Sequence, residues 1–465
     1  MKNDILFYSD QKPFEVTGSK HFIKYKDNLI MLDAGFYQAD EEHQVWNKEY
    51  ACPVEDISTV IISHAHLDHS ALLPKLVKDG YNKKIYSTPA TRDLASIIML
   101  DAAKIQKNDN DIIYEEKDVI NTLELFRTTQ YRKRKELNKE VTFTLYNAGH
   151  ILGSAVVDVE INKKRNFIQK LFCKKRPIHI LYTGDLGRSS NLIVEKPDTN
   201  IPAPDYIIME STYGNRNHEK TKEAYAEMEQ VINDTIKRGG KVIIPTFAIE
   251  RAQELIYHIK NMMADNKIPR VPVYVDSPMA SNATGVFSIH PECFNDNIKK
   301  LINRGKNPFS VKSLKFISSN RESLKVAEDD TPSIVLSASG MCEAGRIINH
   351  LKFGIENENN TILIVGYMAE NTLGRKILDK MPQVEIQKKM YELKAQVKRI
   401  DGFSGHADKD ELLEYIDNLK HDNLKKIFLV HGDKESKESL KEALESKGLN
   451  VEILKEEKVY KLWLN

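Results

Sequence analysis

His64-Ala65-His66-Leu67-Asp68-His69 places four metal-binding side chains within six residues. Imidazole with carboxylate is the ligand set zinc takes when it does chemistry rather than hold a fold together. A buried histidine is most often a hydrogen-bonded core residue. Three of them with an aspartate at this spacing point instead to a metal site. On a strand, His64, His66 and Asp68 would share one face and His69 would point away; on a helix, His64 and Asp68 would align without His66. The four converge only if the backbone changes conformation here, as where a strand runs into a helix. The neighbours fit: Thr59-Val60-Ile61-Ile62 is an apolar run, and Leu72, Leu73, Leu76 and Val77 form a helical stripe. Pro74 is tolerated only in the first turn of that helix.

One turn does not complete a catalytic site. His150 follows Leu145-Tyr146-Asn147-Ala148-Gly149, Asp185 follows Leu181-Tyr182-Thr183-Gly184, and His431 follows Ile427-Phe428-Leu429-Val430. His406 stands in Gly402-Phe403-Ser404-Gly405-His406-Ala407-Asp408, ahead of a helical pattern. Strand ends in layered folds gather on one sheet edge, where sites are built. Taken singly, each of these is compatible with an ordinary turn residue. Gly149 and Gly184 supply the tight bends beside two of them.

The elements that must position these residues are short apolar strands in the first two hundred residues: Leu29–Asp33, Val60–Ser63, Lys84–Ser87, Val141–Tyr146, Ala155–Ile161, Ile178–Thr183 and Tyr206–Met209. Near residue 215 the character changes. Tyr225, Met228, Val231, Ile232 and Ile236 mark an amphipathic helix stopped by Gly239-Gly240. A strand over Lys241–Pro245, a helix over Glu250–Asp265 and a strand over Val271–Asp276 follow, which is the alternation of a doubly wound α/β unit. Further strands are predicted at Ser333–Ser337, Thr361–Val365, Lys398–Asp401 and Lys426–Val430, with a helix over Lys409–Leu419. Ala338-Ser339-Gly340-Met341 turns from a strand towards the helix-like Arg346–Leu351, and backbone N–H groups at such a turn favour an anion.

With 465 residues the chain exceeds one ordinary core, and two domains are expected. Its 41% hydrophobic and 29% charged residues are those of a soluble globular protein. Cys52, Cys173, Cys293 and Cys342 show no metal spacing and no disulfide framework, so a reducing cytoplasm is the simplest home. No apolar run is long enough to cross a bilayer. A net charge of +1 does not announce a polyanion binder, but Arg132-Lys133-Arg134-Lys135 and the stretch 163–176 are basic runs lying between the presumed ligands.

Over nearly its whole length the chain resembles the β-CASP subgroup of metallo-β-lactamase-fold hydrolases, nucleases that include the pre-mRNA 3′-end cleavage endonuclease. It is most similar to the compact prokaryotic relatives of that catalytic subunit of the cleavage and polyadenylation factor. Leu32-Asp33, the His64–His69 run, Gly149-His150 and Gly184-Asp185 resemble the four hydrolase motifs. Glu210 in Glu210-Ser211-Thr212-Tyr213-Gly214, His406 and His431 resemble motifs A, B and C. Pro245-Thr246-Phe247-Ala248, Arg251-Ala252-Gln253-Glu254-Leu255 and Asp276-Ser277-Pro278-Met279-Ala280 also look like this subgroup, as does Gly366-Tyr367, without a role that follows from it.

The resemblance implies an α/β fold: an αββα sandwich of residues 1–208 and 388–465, interrupted by a β-CASP domain at 209–387. It implies two zinc ions, with manganese as the substitute. His64, His66 and His150 would hold one, Asp68, His69 and His431 the other, and Asp185 would bridge them. His406, Glu210 and Asp68 would be catalytic, with His406 the general acid and Glu210 its orienting partner, and Asp33 would hold the ligand turn from behind. Ser339, Gly340, Arg346 and Ser404 would meet phosphate or RNA. The implied activity is hydrolysis of single-stranded RNA, as endonuclease, 5′-to-3′ exonuclease or both; a histidine as motif C is the pattern of RNA-acting members. The competing readings are a DNA nuclease, a thioester or lactam hydrolase of the same superfamily, and a non-catalytic partner subunit. Both a monomer and a homodimer stay open. Three features depart from the pattern: the long basic stretch 163–176, the absence of glycine in Tyr8–Lys12, and Lys20 where a small residue or cysteine is usual.

Overall fold

The computed structural model describes residues 4–38, 45–106, 112–162, 176–310 and 312–463. All of the basic stretch except Arg176 lies outside them. The chain divides into two compact units, Met1–Asn217 with His406–Asn465, and His218–Gly405.

The first unit contains two seven-stranded sheets. In spatial order one holds Tyr460–Leu462, Ile5–Ser9, His21–Tyr25, Asn28–Leu32, Thr59–Ile61, Ile85–Ser87 and Phe126–Thr128. The other holds Val451–Ile453, Lys426–Leu429, Tyr206–Met209, Ile178–Tyr182, Ala155–Ile161, Val141–Asn147 and Lys135–Glu136. Alternate residues of the two sheets, among them Phe7, Ile23, Ile30, Phe143, Val157 and Ile180, form one buried core between them. Opposite this core, Val156, Leu181, Ile207 and Leu429 pack with Leu412 and Ile416 of helix Lys409–Asn418 and Leu440 and Leu444 of helix Lys434–Ser446. Outside the first sheet, helices Leu73–Lys78, Pro89–Gln106 and Glu116–Leu125 pack together, and Phe22, Met31, Val60 and Ile62 are buried. The layers are those of an αββα sandwich.

The second unit is built on six parallel strands in the order Leu314–Phe316, Val273–Asp276, Ile334–Ser337, Val242–Pro245, Thr361–Ile364 and Gln396–Arg399. Gln396–Arg399 pairs in parallel with Thr361–Ile364, so the chain stays in this unit until Gly405. The resemblance implies crossings at 208 and 388; the compact units divide after Asn217 and after Gly405, the second because that edge strand completes the second sheet. The antiparallel hairpin Gln383–Ile386 with Lys389–Glu392 carries no apolar run and is not evident from sequence. The strand His21–Tyr25 is similarly hidden, interrupted by His21 and Lys24, whereas Ile5–Ser9 is an apolar run absent from the strands predicted from sequence. No helix among the described residues is long and apolar enough to cross a membrane.

Candidate metal centre and active site

The ligand run does change conformation as its spacing requires. Strand Thr59–Ile61 ends ahead of His64, His66 is extended (φ −53°, ψ 153°), and a short helix spans Leu67–Ser70. Helix Leu73–Lys78 follows, with Pro74 in its first turn. Gly149 (φ 68°) and Gly184 (φ 53°) take the left-handed conformation beside His150 and Asp185. A Cβ on Gly184 would also meet Ser63 Cβ at 2.7 Å.

Two groups of ligand atoms face one carboxylate. His64, His66, His150 and Asp185 gather with every donor atom within 4.8 Å of the others, and Asp68, His69 and His431 do the same. Asp185 Oδ2 lies 3.4 Å from His64 Nε2 and 3.6 Å from His150 Nε2. Its Oδ1 lies 3.3 Å from His69 Nε2 and 3.7 Å from His431 Nδ1. In the second group, Asp68 Oδ2 stands 3.3 Å from His431 Nε2.

The donor set fits cations. His66 Nδ1 is 3.1 Å from both His64 Nε2 and His150 Nε2. Burial holds His64 well below the usual imidazole range and brings His66 down to about 4, so both rings are neutral and able to offer a nitrogen lone pair to a cation. His69 Nε2 and Asp185 Oδ1 are buried without hydrogen-bond geometry to any described residue, although they face each other. Burial opposes charge on His69, yet Asp185 and Asp68 lift it well above its ordinary value. The place is thus made for positive charge, and a metal would displace that proton.

The third group is different in kind. His406 Nδ1 lies 3.2 Å from Glu210 Oε2 and 3.9 Å from Asp185 Oδ2. Glu210 is fully buried; its Oε1 accepts the Leu186 N–H at 2.5 Å and its Oε2 the Thr212 hydroxyl at 2.5 Å. Burial works against a charged His406, but Glu210, with Asp185 and Asp68 behind it, raises the ring to about 9. His406 is held by a bridge to Gly187 and by Ala407 N–H donating to Leu186 O.

Residues behind the ligands escape a search for ligands alone. Asp33 Oδ2 accepts from Ser63 Oγ (2.6 Å) and Tyr182 OH (2.7 Å), and Oδ1 from Ser63 N (2.6 Å). Thr212 Oγ1 lies 2.9 Å from His431 Nδ1, and Gln11 Oε1 accepts the His431 N–H at 3.2 Å. Ser63, Thr212 and Tyr182 each stand within three residues of a motif residue, which is the signal that finds them: every ligand's second polar atom needs a partner. Gln11 has no such signal, being far from His431 in sequence. It occupies the turn that lacks the usual glycine. Lys20 is buried, its Nζ 3.2 Å from Asp10 Oδ2 and from Trp46 O, and 5.0 Å from the Tyr37 ring centroid.

Ser339, Gly340 and Arg346 belong to the second unit, at the carboxyl edge of its sheet, and Ser404 to its last loop. Arg346 is engaged within its own unit. Its guanidinium donates to Asp276 Oδ1 (2.9 Å), Ile317 O (2.9 Å) and Ser318 O (3.0 Å), bracing the turn from inside. The run at 132–135 is also engaged: Arg132 pairs with Asp198 and Arg134 with Glu160.

Comparisons with known proteins agree with this architecture. Residues 22–176 match the metallo-β-lactamase superfamily domain, 252–377 the β-CASP domain, and 390–454 the Zn-dependent metallo-hydrolase RNA specificity domain. The chain is 32% identical to ribonuclease TTHA0252 of Thermus thermophilus over 440 residues, covering 94% of this chain and 96% of that one. It is 32% identical to transcription termination factor FttA of Methanosarcina mazei, covering 91% of this chain and 66% of the factor, and 33% identical to FttA of Methanocaldococcus jannaschii, covering 90% and 65%. A crystallised protein of unknown function from Enterococcus faecalis V583 shares the fold, with TM-score 0.59, 12% identity and coverage of 99% and 100%. Fold and site thus define a metal-dependent hydrolase. The chain belongs to the β-CASP ribonuclease family of the metallo-β-lactamase superfamily.

Proposed function

We propose that the protein is a two-zinc ribonuclease, working in the cytoplasm on single-stranded RNA in its processing or decay, with manganese able to replace zinc. The observation that carries this is the bisected environment of Asp185, whose two oxygens face two separate ligand groups. In this reading His64, His66 and His150 would hold one ion and Asp68, His69 and His431 the other, with Asp185 available to both. When bound, such a pair lowers the pKa of water towards neutrality and neutralises phosphoryl charge during in-line displacement.

The chain's own residues do the rest. Asp68 takes the proton of the attacking water. His406 gives its proton to the departing 3′-oxygen, so the products carry a 5′-phosphate and a 3′-hydroxyl. Glu210 holds the Nδ1 side of His406 at 3.2 Å, so that the proton given to the 3′-oxygen would be the one on Nε2. The names of the relatives, a ribonuclease and termination factors, support RNA as the substrate.

The test is a matched set of RNA and DNA oligonucleotides, end-labelled and internally labelled, with and without chelator. The expected result is chelator-sensitive cleavage of RNA alone. The product ladder distinguishes internal from 5′-to-3′ cutting. Cleavage of DNA at the same rate, or of RNA undiminished by exhaustive chelation, would sink the proposal.

A further inference from the structure

Two departures from the family pattern, the turn Tyr8–Lys12 without glycine and the lysine at position 20, stand at the two ends of one loop. Strands Ile5–Ser9 and His21–Tyr25 pair from Ile5 with Tyr25 to Ser9 with His21, so residues 10–20 are the connection between them. Its neck is closed twice. Asp10 N–H donates to Lys20 O at 2.9 Å, and the buried Lys20 ammonium lies 3.2 Å from Asp10 Oδ2. That ammonium also donates to Trp46 O at 3.2 Å, against the ring of Tyr37. The Tyr37 hydroxyl in turn donates to Asp10 O at 2.9 Å and accepts Lys12 N–H at 2.8 Å.

The loop closed in this way grips two residues of one ligand group. Gln11 is buried, and its Oε1 accepts the His431 N–H at 3.2 Å. Its Nε2 donates across the loop to Thr17 O at 3.2 Å and Glu15 O at 3.4 Å. Glu15 O also accepts the Gly432 N–H at 3.3 Å. At the other end of the loop, Ser19 N–H donates to Asp68 O at 2.9 Å, and Ser19 O accepts Gly35 N–H at 2.9 Å. Only a glycine at 35 allows that approach, because a Cβ there would lie 1.7 Å from Asp68 O.

His431 requires such holding. Its backbone is left-handed at φ 47°, which is uncommon for a residue with a side chain. Its Nε2 stands 3.3 Å from Asp68 Oδ2, although the two residues come from opposite ends of the chain. One loop therefore fixes the main chain beneath both. We propose that Gln11 and Lys20 are positioning residues for the group of Asp68, His69 and His431, acting together through the loop 10–20; this rests on the two-ion reading above. Lys20 locks the neck, and Gln11 carries the position of the loop to His431. Partners behind a ligand set its orientation and so its affinity for metal.

The full chain, freed of metal, is titrated with Zn²⁺ in competition with a chromophoric chelator. The uptake step that His431→Ala abolishes identifies the group. Gln11→Met and Lys20→Met each keep the length of the side chain and remove its polar end. Each is expected to weaken that step by about 10- to 100-fold and to leave the other step unchanged. The double variant should lose less than the product of the two effects, because both act through one loop. Either single variant that matches wild type at that step overturns the proposal. Equal weakening of both steps overturns it as well, since that is what a merely structural loop would give. Melting temperatures of the metal-free proteins confirm folding. Gln11→Asn, whose shorter amide stays polar but falls short of the His431 N–H, carries the test if Gln11→Met fails to fold. Wild-type protein that takes up fewer than two equivalents refutes the two-ion reading itself, a result distinct from variants that match a two-step wild type.

Discussion

Asp33 Oδ2 lies 2.7 Å from His69 Nδ1, and Asp33 itself holds a left-handed backbone at φ 61°. The contact places the ring's Nδ1–H on a carboxylate and leaves Nε2 facing Asp185 Oδ1. Ser63 and Tyr182 donate to the same carboxylate, so it is fixed on both oxygens. A carboxylate behind an imidazole fixes its tautomer and strengthens it as a donor.

Asp33→Asn should therefore weaken metal binding without touching a ligand. An amide cannot accept from all four groups, and its N–H₂ would face the Nδ1–H of His69. Metal affinity is expected to fall about 10- to 100-fold, chiefly at the group of Asp68, His69 and His431. Elemental analysis after dialysis against a weak chelator would show it; unchanged stoichiometry would remove Asp33 from the site.

His406→Ala should keep its metal and lose turnover, by about 10²- to 10⁴-fold for the loss of a general acid. Glu210→Gln should lower the pH at which activity declines on the alkaline side. His406 must carry its proton to act, and Glu210 is the group that raises it to about 9, so the neutral amide releases that proton earlier. A pH–rate profile of kcat checks the direction; an alkaline limb that stays in place contradicts the pairing.

Arg346→Ala should destabilise the second unit, leaving the metal content as it was. The fully buried Asp276 keeps His350, whose Nε2 is 2.7 Å from Oδ2, but loses the guanidinium on Oδ1. The cost is about 2–4 kcal/mol, between that of one charge-assisted hydrogen bond and that of a broken buried pair. Chemical denaturation would measure it. Arg346→Lys should recover little of the loss, because an ammonium cannot span Asp276, Ile317 O and Ser318 O together.

Lys437 gives the protein a pH-dependent stability. Its ammonium is buried on helix Lys434–Ser446, donating to Pro13 O, and burial brings it down to about 7. The unfolded chain keeps that proton up to about pH 10. From about pH 7 upwards the unfolded state binds more protons than the folded state, so stability rises with pH across that window. At pH 7 and below both states are charged, and the folded state carries the whole desolvation cost. Lys437→Met should be the more stable protein at pH 6.5, and the difference should shrink as pH rises towards 10. Melting curves at three pH values would show whether the two lines converge.

Sequence alone determined the candidate ligands and the layers. Histidines and aspartates at strand ends are legible because the chemistry demands those residue types, and because apolar runs such as Ala155–Ile161 and Tyr206–Met209 announce the strands that end there. Only the tertiary structure decided what stands behind them. Gln11 and His431 are 420 residues apart, and no local pattern records a hydrogen bond closed over that distance. Arg346 shows the same limit from the other side. Its place after a glycine turn suggests a phosphate contact, but the orientation of a long side chain is set by the buried carboxylate it finds, here Asp276. The edge strand Gln396–Arg399 likewise joins the second unit because its backbone pairs with Thr361–Ile364. Local periodicity reports that a strand exists, and only long-range hydrogen bonding assigns it to a sheet.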